Sequence, residues 1–185
     1  MAGKAKTRLA RETSPEWGWR VAQALLEDSL DRFSQVEASR AIVYVPATGI
    51  PYISQLAQGR YDLTPQCDGD LGQRLQQFFT EARRHGYSRI IAVGADSPTV
   101  PIEYVEHAFA ALKENDVVIG PAHDGGYYLI GGGRQNLAMF DGIPWSTPRV
   151  LETTIKRLQA SACLALLPPL RTTGQSCASK SVQSN

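Results

Sequence analysis

The sequence predicts an α/β fold, on three observations. Short apolar, β-branched runs such as "RAIVYVPA", "RIIAVG" and "DVVIGPA" alternate with stretches whose apolar residues recur at helical spacing. Helix-start signals stand between them: Ser14-Pro15, Asp70 with Gln73, and Thr147-Pro148. At 185 residues, 43% hydrophobic and 20% charged, the chain has the material for one globular domain with a sizeable core.

The elements follow in order. Ser14 offers a capping hydroxyl and Pro15 suits the first helical position; Val21, Leu25, Leu26, Leu30 and Phe33 continue a helix expected to end near Gln35. A strand centred on Ile42 to Val45 is closed by Pro46, and a second helix is expected over Pro51 to Gln58. Asp70 and Gln73 read as a reciprocal cap for a third helix, with Leu71, Leu75, Phe78, Phe79 and Ala82 on one face. "RIIAVGADSP" is fully apolar until Gly94 and is expected to be a central, buried strand. Pro101 begins a helix lined by Ile102, Val105, Phe109 and Leu112, and "DVVIGPA" and "YYLIGG" are the next strands. Only "HDGG" separates these two, too short for a crossover, so they are antiparallel neighbours in a mostly parallel sheet. Thr147-Pro148 is expected to cap a last helix through Leu151, Ile155 and Leu158, leading to the strand "CLALLPP". From Arg171 onward small polar residues dominate, which divides the chain into a domain over 1–170 and a polar tail over 171–185 expected to be disordered.

Composition excludes several function classes. A net charge of +1 argues against a nucleic-acid-coating protein or a polybasic membrane binder. Cys67, Cys163 and Cys177 form neither an even disulfide framework nor a metal spacing, and read as reduced thiols of a cytoplasmic protein. No apolar run reaches the roughly 18 residues of a membrane span, and no secretory h-region follows the basic start.

In a parallel α/β sheet, ligands bind beyond the carboxyl ends of the strands. Asp96 stands there, placed either to hold Mg²⁺ or Mn²⁺ against nucleotide phosphates or simply to start a turn with Ser97-Pro98. Lys4, Lys6 and Arg8 alternate after Gly3, a geometry suited to diphosphate and equally to a solvated terminus; GxxxxGK[ST] is absent. Asp124, Gly125, Gly126, Tyr127 and Tyr128 could line a pocket or merely turn the chain into a strand. Asp70, Gly72 and Arg74 sit at an anion-friendly helix start, although capping alone explains Asp70. His85, His107 and His123 share no ligand spacing, and the lack of GxSxG disfavours serine hydrolase chemistry.

Together "GKAKTRLA", "GDLGQR", "GADSPTVP", "GPAHDGGYYLIG" and "GIPWSTPRVLETT", in that order and over about residues 3 to 170, resemble the bacterial GT-A-like glycosyltransferase family associated with radical-SAM and arsenosugar biosynthesis genes. The resemblance implies a nucleotide-diphospho-sugar transferase (GT-A-like) fold, a three-layer α/β/α sandwich shared with nucleotidyltransferases. It implies a metal-assisted transfer of a sugar from a nucleotide-diphosphate donor to a small-molecule acceptor. The alternatives are a nucleotidyltransferase acting on a nucleoside triphosphate, or a non-catalytic nucleotide-binding remnant; neither nucleic acid nor membrane is an expected partner. In that pattern Gly3, Lys4, Lys6 and Arg8 embrace the nucleotide phosphates, with Asp70, Gly72 and Arg74 also on the nucleotide side. Asp96 takes the Mg²⁺ or Mn²⁺ position, and Asp124 is the weaker catalytic candidate, orienting or deprotonating an acceptor hydroxyl. Gly125, Gly126, Tyr127, Trp145, Ser146 and Thr147 are the implied substrate-binding residues. The pattern also implies an apolar strand ahead of Gly3 and an Asp-x-Asp-Thr segment after Leu170, neither of which stands in this chain, and a capping Thr where Val100 stands.

Overall fold

A computed structural model describes residues 14–45, 47–95, 97–133 and 138–171. Helix α1 (Pro15–Phe33) starts as expected: the Ser14 hydroxyl accepts a hydrogen bond from the Trp17 amide at 3.1 Å, and Pro15 occupies the first turn, where its missing N–H would have no intrahelical partner. Strand β1 (Ala41–Tyr44), helix α2 (Ile50–Ala57) and strand β2 (Asp62–Pro65) follow. No periodicity in "DLTP" announces β2. It forms because β1 offers a parallel edge, Ala41 to Tyr44 pairing with Asp62 to Pro65.

Helix α3 (Leu71–Arg84) carries the expected capping box, Asp70 Oδ1 accepting from the Gln73 amide at 2.8 Å and Gln73 Oε1 from the Asp70 amide at 2.9 Å. Phe79 is fully buried, with Leu75, Phe78 and Ala82 packed beside it, whereas Leu71 points to solvent. Strand β3 (Ile90–Val93), helix α4 (Ile102–Ala111), strands β4 (Val117–Pro121) and β5 (Tyr127–Gly132), helix α5 (Val150–Gln159) and strand β6 (Leu164–Leu166) complete the described elements.

Two helix starts differ from expectation. Pro101 is the N-cap of α4 and Val100 lies in the core, so a hydroxyl at 100 would face apolar neighbours rather than a helix end. Thr147-Pro148 precedes α5, whose N-cap is Arg149. The Thr147 hydroxyl instead donates to the Pro144 carbonyl at 2.7 Å and accepts from the Arg149 amide at 3.3 Å, closing a turn ahead of the helix.

The main sheet has the order β3-β5-β4-β6, with β4 and β6 parallel and β5 antiparallel to both its neighbours. Its two faces are separately covered, as a three-layer sandwich requires. Val118, Leu129, Ile91 and Val93 meet α4 and the end of α1, while Val117, Ile119, Ile130 and Ile90 meet α3 and α5. Burial on both faces explains why β4 reads as a continuous apolar run rather than an alternation.

Among the described residues β3 lies at a sheet edge, not at the centre that its apolarity predicts. It pairs only with β5 among the described residues, and Ile91, Ala92 and Val93 are half-buried. β1 and β2 form a separate two-stranded sheet, and α1 straddles the two. Leu26 and Leu30 of α1 pack with Ile42, Tyr44 and Ala57, while Phe33 and Val36 pack with Val118 and Leu129. The buried Ser29 hydroxyl reaches the Leu25 carbonyl at 2.7 Å and the Ala95 carbonyl, just beyond β3, at 3.3 Å.

Phe79 makes edge contacts with Phe78 and Phe140 and lies under the Arg83 guanidinium, so its removal leaves a cavity that several fixed neighbours cannot close. Phe79→Ala should cost about 3–5 kcal/mol in a urea unfolding curve.

Candidate functional site

Three turns converge where the strands end. The first is the start of α3, after β2. Gly72 there is buried, and a β-carbon on it would lie 2.5 Å from Trp145 Nε1 and 2.9 Å from the Phe140 carbonyl oxygen. Only glycine lets the indole sit against this helical turn.

The second is the reversal between β4 and β5. The Ala122 amide donates to the Gly126 carbonyl at 2.9 Å and the Gly125 amide to the Ala122 carbonyl at 3.1 Å. Gly125 has φ +86°, and a β-carbon on it would lie 2.0 Å from the Pro148 carbonyl oxygen. Its own carbonyl accepts from the Leu151 amide at 2.8 Å, which ties the turn to the first turn of α5. Alongside runs an open groove of about 410 Å³, lined in part by Pro148, Leu151 and Ile155.

The third turn is Trp145 to Pro148 itself. The Trp145 ring lies between those of Tyr127, at 6.3 Å and edge-on, and Phe140, at 6.4 Å. Ser146 adopts the left-handed conformation, φ +62°. A residue with a β-carbon costs about 1–2 kcal/mol there. The other described non-glycine case, Gln58, closes the carboxyl end of α2, where that conformation is ordinary.

The polar candidates take definite positions in this frame. Asp70 is engaged in the α3 cap. Arg74 donates from Nε to the Gly69 carbonyl at 3.0 Å and from Nη1 to Gln66 Oε1 at 3.3 Å, holding the 66–69 loop on the helix. Asp124 is exposed, and its Oδ1 accepts from the Gly126 amide at 3.0 Å within the turn. The Tyr127 hydroxyl is buried near that of Thr154, whose proton goes to the Val150 carbonyl at 2.8 Å. Burial, offset in part by Thr154, pushes the phenol far above its ordinary value, so Tyr127 stays neutral and contributes its ring. Tyr128 points to the other face, its hydroxyl donating to the Pro168 carbonyl at 3.1 Å. His123 is exposed, and its amide donates to the Leu170 carbonyl at 3.0 Å.

The structure therefore brings together Gly72, Gly125, Gly126, Tyr127, Trp145, Ser146 and Thr147. Gly3, Lys4, Lys6, Arg8 and Asp96 lie outside the described residues, as does the 172–185 part of the tail. Gly94 and Ala95, which lead to Asp96, are exposed at the end of β3. Among the described residues no three carboxylates, histidines or cysteines cluster as a metal site, Cys67 and Cys163 are free thiols, and no helix is long and apolar enough to cross a membrane. Phe140 and Pro148 are neighbours of these turns that sequence reasoning missed; they fall in a stretch without periodicity, and the carbonyls that Gly72 and Gly125 accommodate leave no residue-type signal, although the Phe140 ring also packs beside Trp145.

Residues 20–147 match the bacterial family described as "uncharacterized protein conserved in bacteria (DUF2064)". The chain belongs to the DUF2064 family. Among solved structures, this DUF2064 chain is similar to a Desulfovibrio desulfuricans G20 protein provisionally named a nucleotide-diphospho-sugar transferase. The two share 30% identity at a TM-score of 0.88, over 95% of this chain and 78% of that one. It also shares its fold with 4-diphosphocytidyl-2C-methyl-D-erythritol synthase from Anaerococcus prevotii DSM 20548, at 12% identity and TM-score 0.59 over 78% and 76% of the two chains. CMP:2-keto-3-deoxy-manno-octonic acid synthetase complexed with CTP is similar at 13% identity and TM-score 0.55, over 80% of each chain. The α/β fold is thus that of the nucleotide-diphospho-sugar transferases. No curated protein matches this DUF2064 chain.

The two glycines of the β4–β5 turn differ sharply in what they tolerate. A β-carbon on Gly126 would meet only Asp124 Oδ1, at 3.3 Å, whereas Gly125 combines a positive φ with a backbone collision. Gly125→Ala should cost more than about 2 kcal/mol and Gly126→Ala less than about 1, compared by thermal unfolding.

Proposed function

We propose that this chain is a glycosyltransferase-like enzyme that moves a sugar from a nucleotide-diphosphate donor to a small-molecule acceptor in the cytoplasm. The observation that carries the reading is the convergence of the 69–72, 124–127 and 145–148 turns at the carboxyl ends of the strands, in a fold shared at 30% identity with the Desulfovibrio protein. In this reading Gly3, Lys4, Lys6 and Arg8 neutralise the diphosphate, and the start of α3, where Gly72 seats the Trp145 indole and Arg74 braces the preceding loop, forms the nucleotide side. Gly125, Gly126, Trp145, Ser146 and Thr147 border the sugar and acceptor, with Tyr127 supporting Trp145 from beneath. Asp124, exposed beside them, orients the acceptor hydroxyl. A Mg²⁺ or Mn²⁺ ion held by Asp96 would, when bound, add its charge against the leaving phosphates.

Thermal-shift titration with nucleoside diphosphates and Mn²⁺ should show a metal-dependent stabilisation that Asp96→Ala abolishes. Equal metal dependence in the two proteins removes Asp96 from the site. Replacing Lys4, Lys6 and Arg8 together by Ala should weaken nucleotide binding and lower its salt sensitivity. The product decides the reaction class: a nucleoside diphosphate released from a sugar donor supports glycosyl transfer, and pyrophosphate released from a triphosphate supports the nucleotidyltransferase reading.

A further inference from the structure

We propose that the acceptor carries a hydrocarbon group and that the open groove along α5 is where that group lies. The proposal rests on the glycosyltransferase-like reading and names the chemical class of its acceptor.

The groove of about 410 Å³ has Gly125 and Pro148 at its head, the residues that join the β4–β5 turn to the 145–148 turn, and continues along one flank of α5. Its volume falls in the range of about 300–1,000 Å³ that takes a small organic ligand. The register of the helix sets the floor. Val150, Thr154 and Leu158 are the buried residues of α5, which leaves Leu151 and Ile155, one turn apart, on the flank, where they pack against the core cluster and also line the groove. From Leu151 to Gln159 the lining extends a little over two helical turns, about 12 Å, the reach of a chain of about ten bonds.

This lining has little to offer a polar ligand. At the head, the Gly125 amide already donates to the Ala122 carbonyl, the Gly125 carbonyl accepts from the Leu151 amide, and Pro148 has no N–H to give. Along the wall, Glu152 and Lys156 are paired with each other at 2.5 Å, so neither brings an uncompensated charge to the lining. Gln159, at the foot, is the one uncharged polar side chain among the lining residues. A sugar or phosphate placed here would lose water without gaining partners, whereas a hydrocarbon leaves water at a gain. The nucleotide side lies at the start of α3, so the group that enters beside Gly125 and Pro148 belongs to the acceptor.

The test titrates the full chain with 1-butanol, 1-hexanol and 1-octanol, each a hydroxyl on a hydrocarbon chain, with and without UDP, ADP, GDP or CDP. Affinity should rise about two- to fourfold per added methylene, fourfold being the full burial of a CH₂. Ile155→Ser should lower octanol affinity about five- to tenfold, and Gln159→Leu, at an exposed position, should raise it about two- to fivefold, with diphosphate affinity unchanged in both. Where Ile155→Ser also lowers the melting temperature, Gln159→Leu alone decides. Octanol and whichever diphosphate binds should occupy the protein together. Affinity independent of chain length, or dependent on it but unmoved by Gln159→Leu, overturns the groove assignment. Mutual exclusion of octanol and diphosphate places the hydrocarbon in the donor's seat and overturns the acceptor class. In those cases diphosphate binding leaves the glycosyltransferase-like reading standing, whereas binding of none of the four diphosphates removes that reading and the acceptor assignment together, even with octanol in the groove.

Discussion

The structure turns on the reversal between β4 and β5. The five residues 122–126 cannot carry a crossover, so β5 must run back beside β4, and it separates β3 from β4 in an otherwise parallel arrangement. The reversal closes only with Gly125 at positive φ and with the Pro148 carbonyl packed where a side chain would be. That contact, and the Leu151 amide on the Gly125 carbonyl, place the start of α5 and the loop before it against the ends of the strands.

From this anchor the remaining geometry follows by packing. Once the 145–148 turn is pinned at Pro148, Trp145 is directed across Tyr127 and Phe140 to the first turn of α3, where Gly72 leaves room for it. The indole thereby links a helix that follows β2 to a turn that follows β5, across the 73 positions that separate Gly72 from Trp145. A surface assembled through backbone carbonyls and missing side chains is rigid without being charged.

The helices were the legible part of the chain because their starts are local. Ser14 with Pro15, and Asp70 with Gln73, satisfy backbone donors within one turn, and those caps stand where the sequence puts them. Thr147-Pro148 has the same chemistry and does not cap α5, because the hydroxyl finds the Pro144 carbonyl within its own turn. β2 escaped notice since a four-residue edge strand ending in proline has no period to read. Among the site residues, glycines and aromatics at 72, 125, 127 and 145 were legible as types, whereas the Phe140 and Pro148 carbonyls that meet Gly72 and Gly125 were not.

The sequence by itself determined the class of the fold, the caps of α1 and α3, and the antiparallel return of β5, because each depends on residues within a few positions of one another. Only the tertiary structure decided that the apolar β3 lies at a sheet edge among the described residues and that α1 bridges two sheets. It alone decided that Gly72 and Gly125 are bare to admit Trp145 and Pro148 and that Ser146 is forced into a left-handed turn. These depend on which surfaces meet across long separations in the chain, and steric exclusion between distant residues leaves no mark in local residue types.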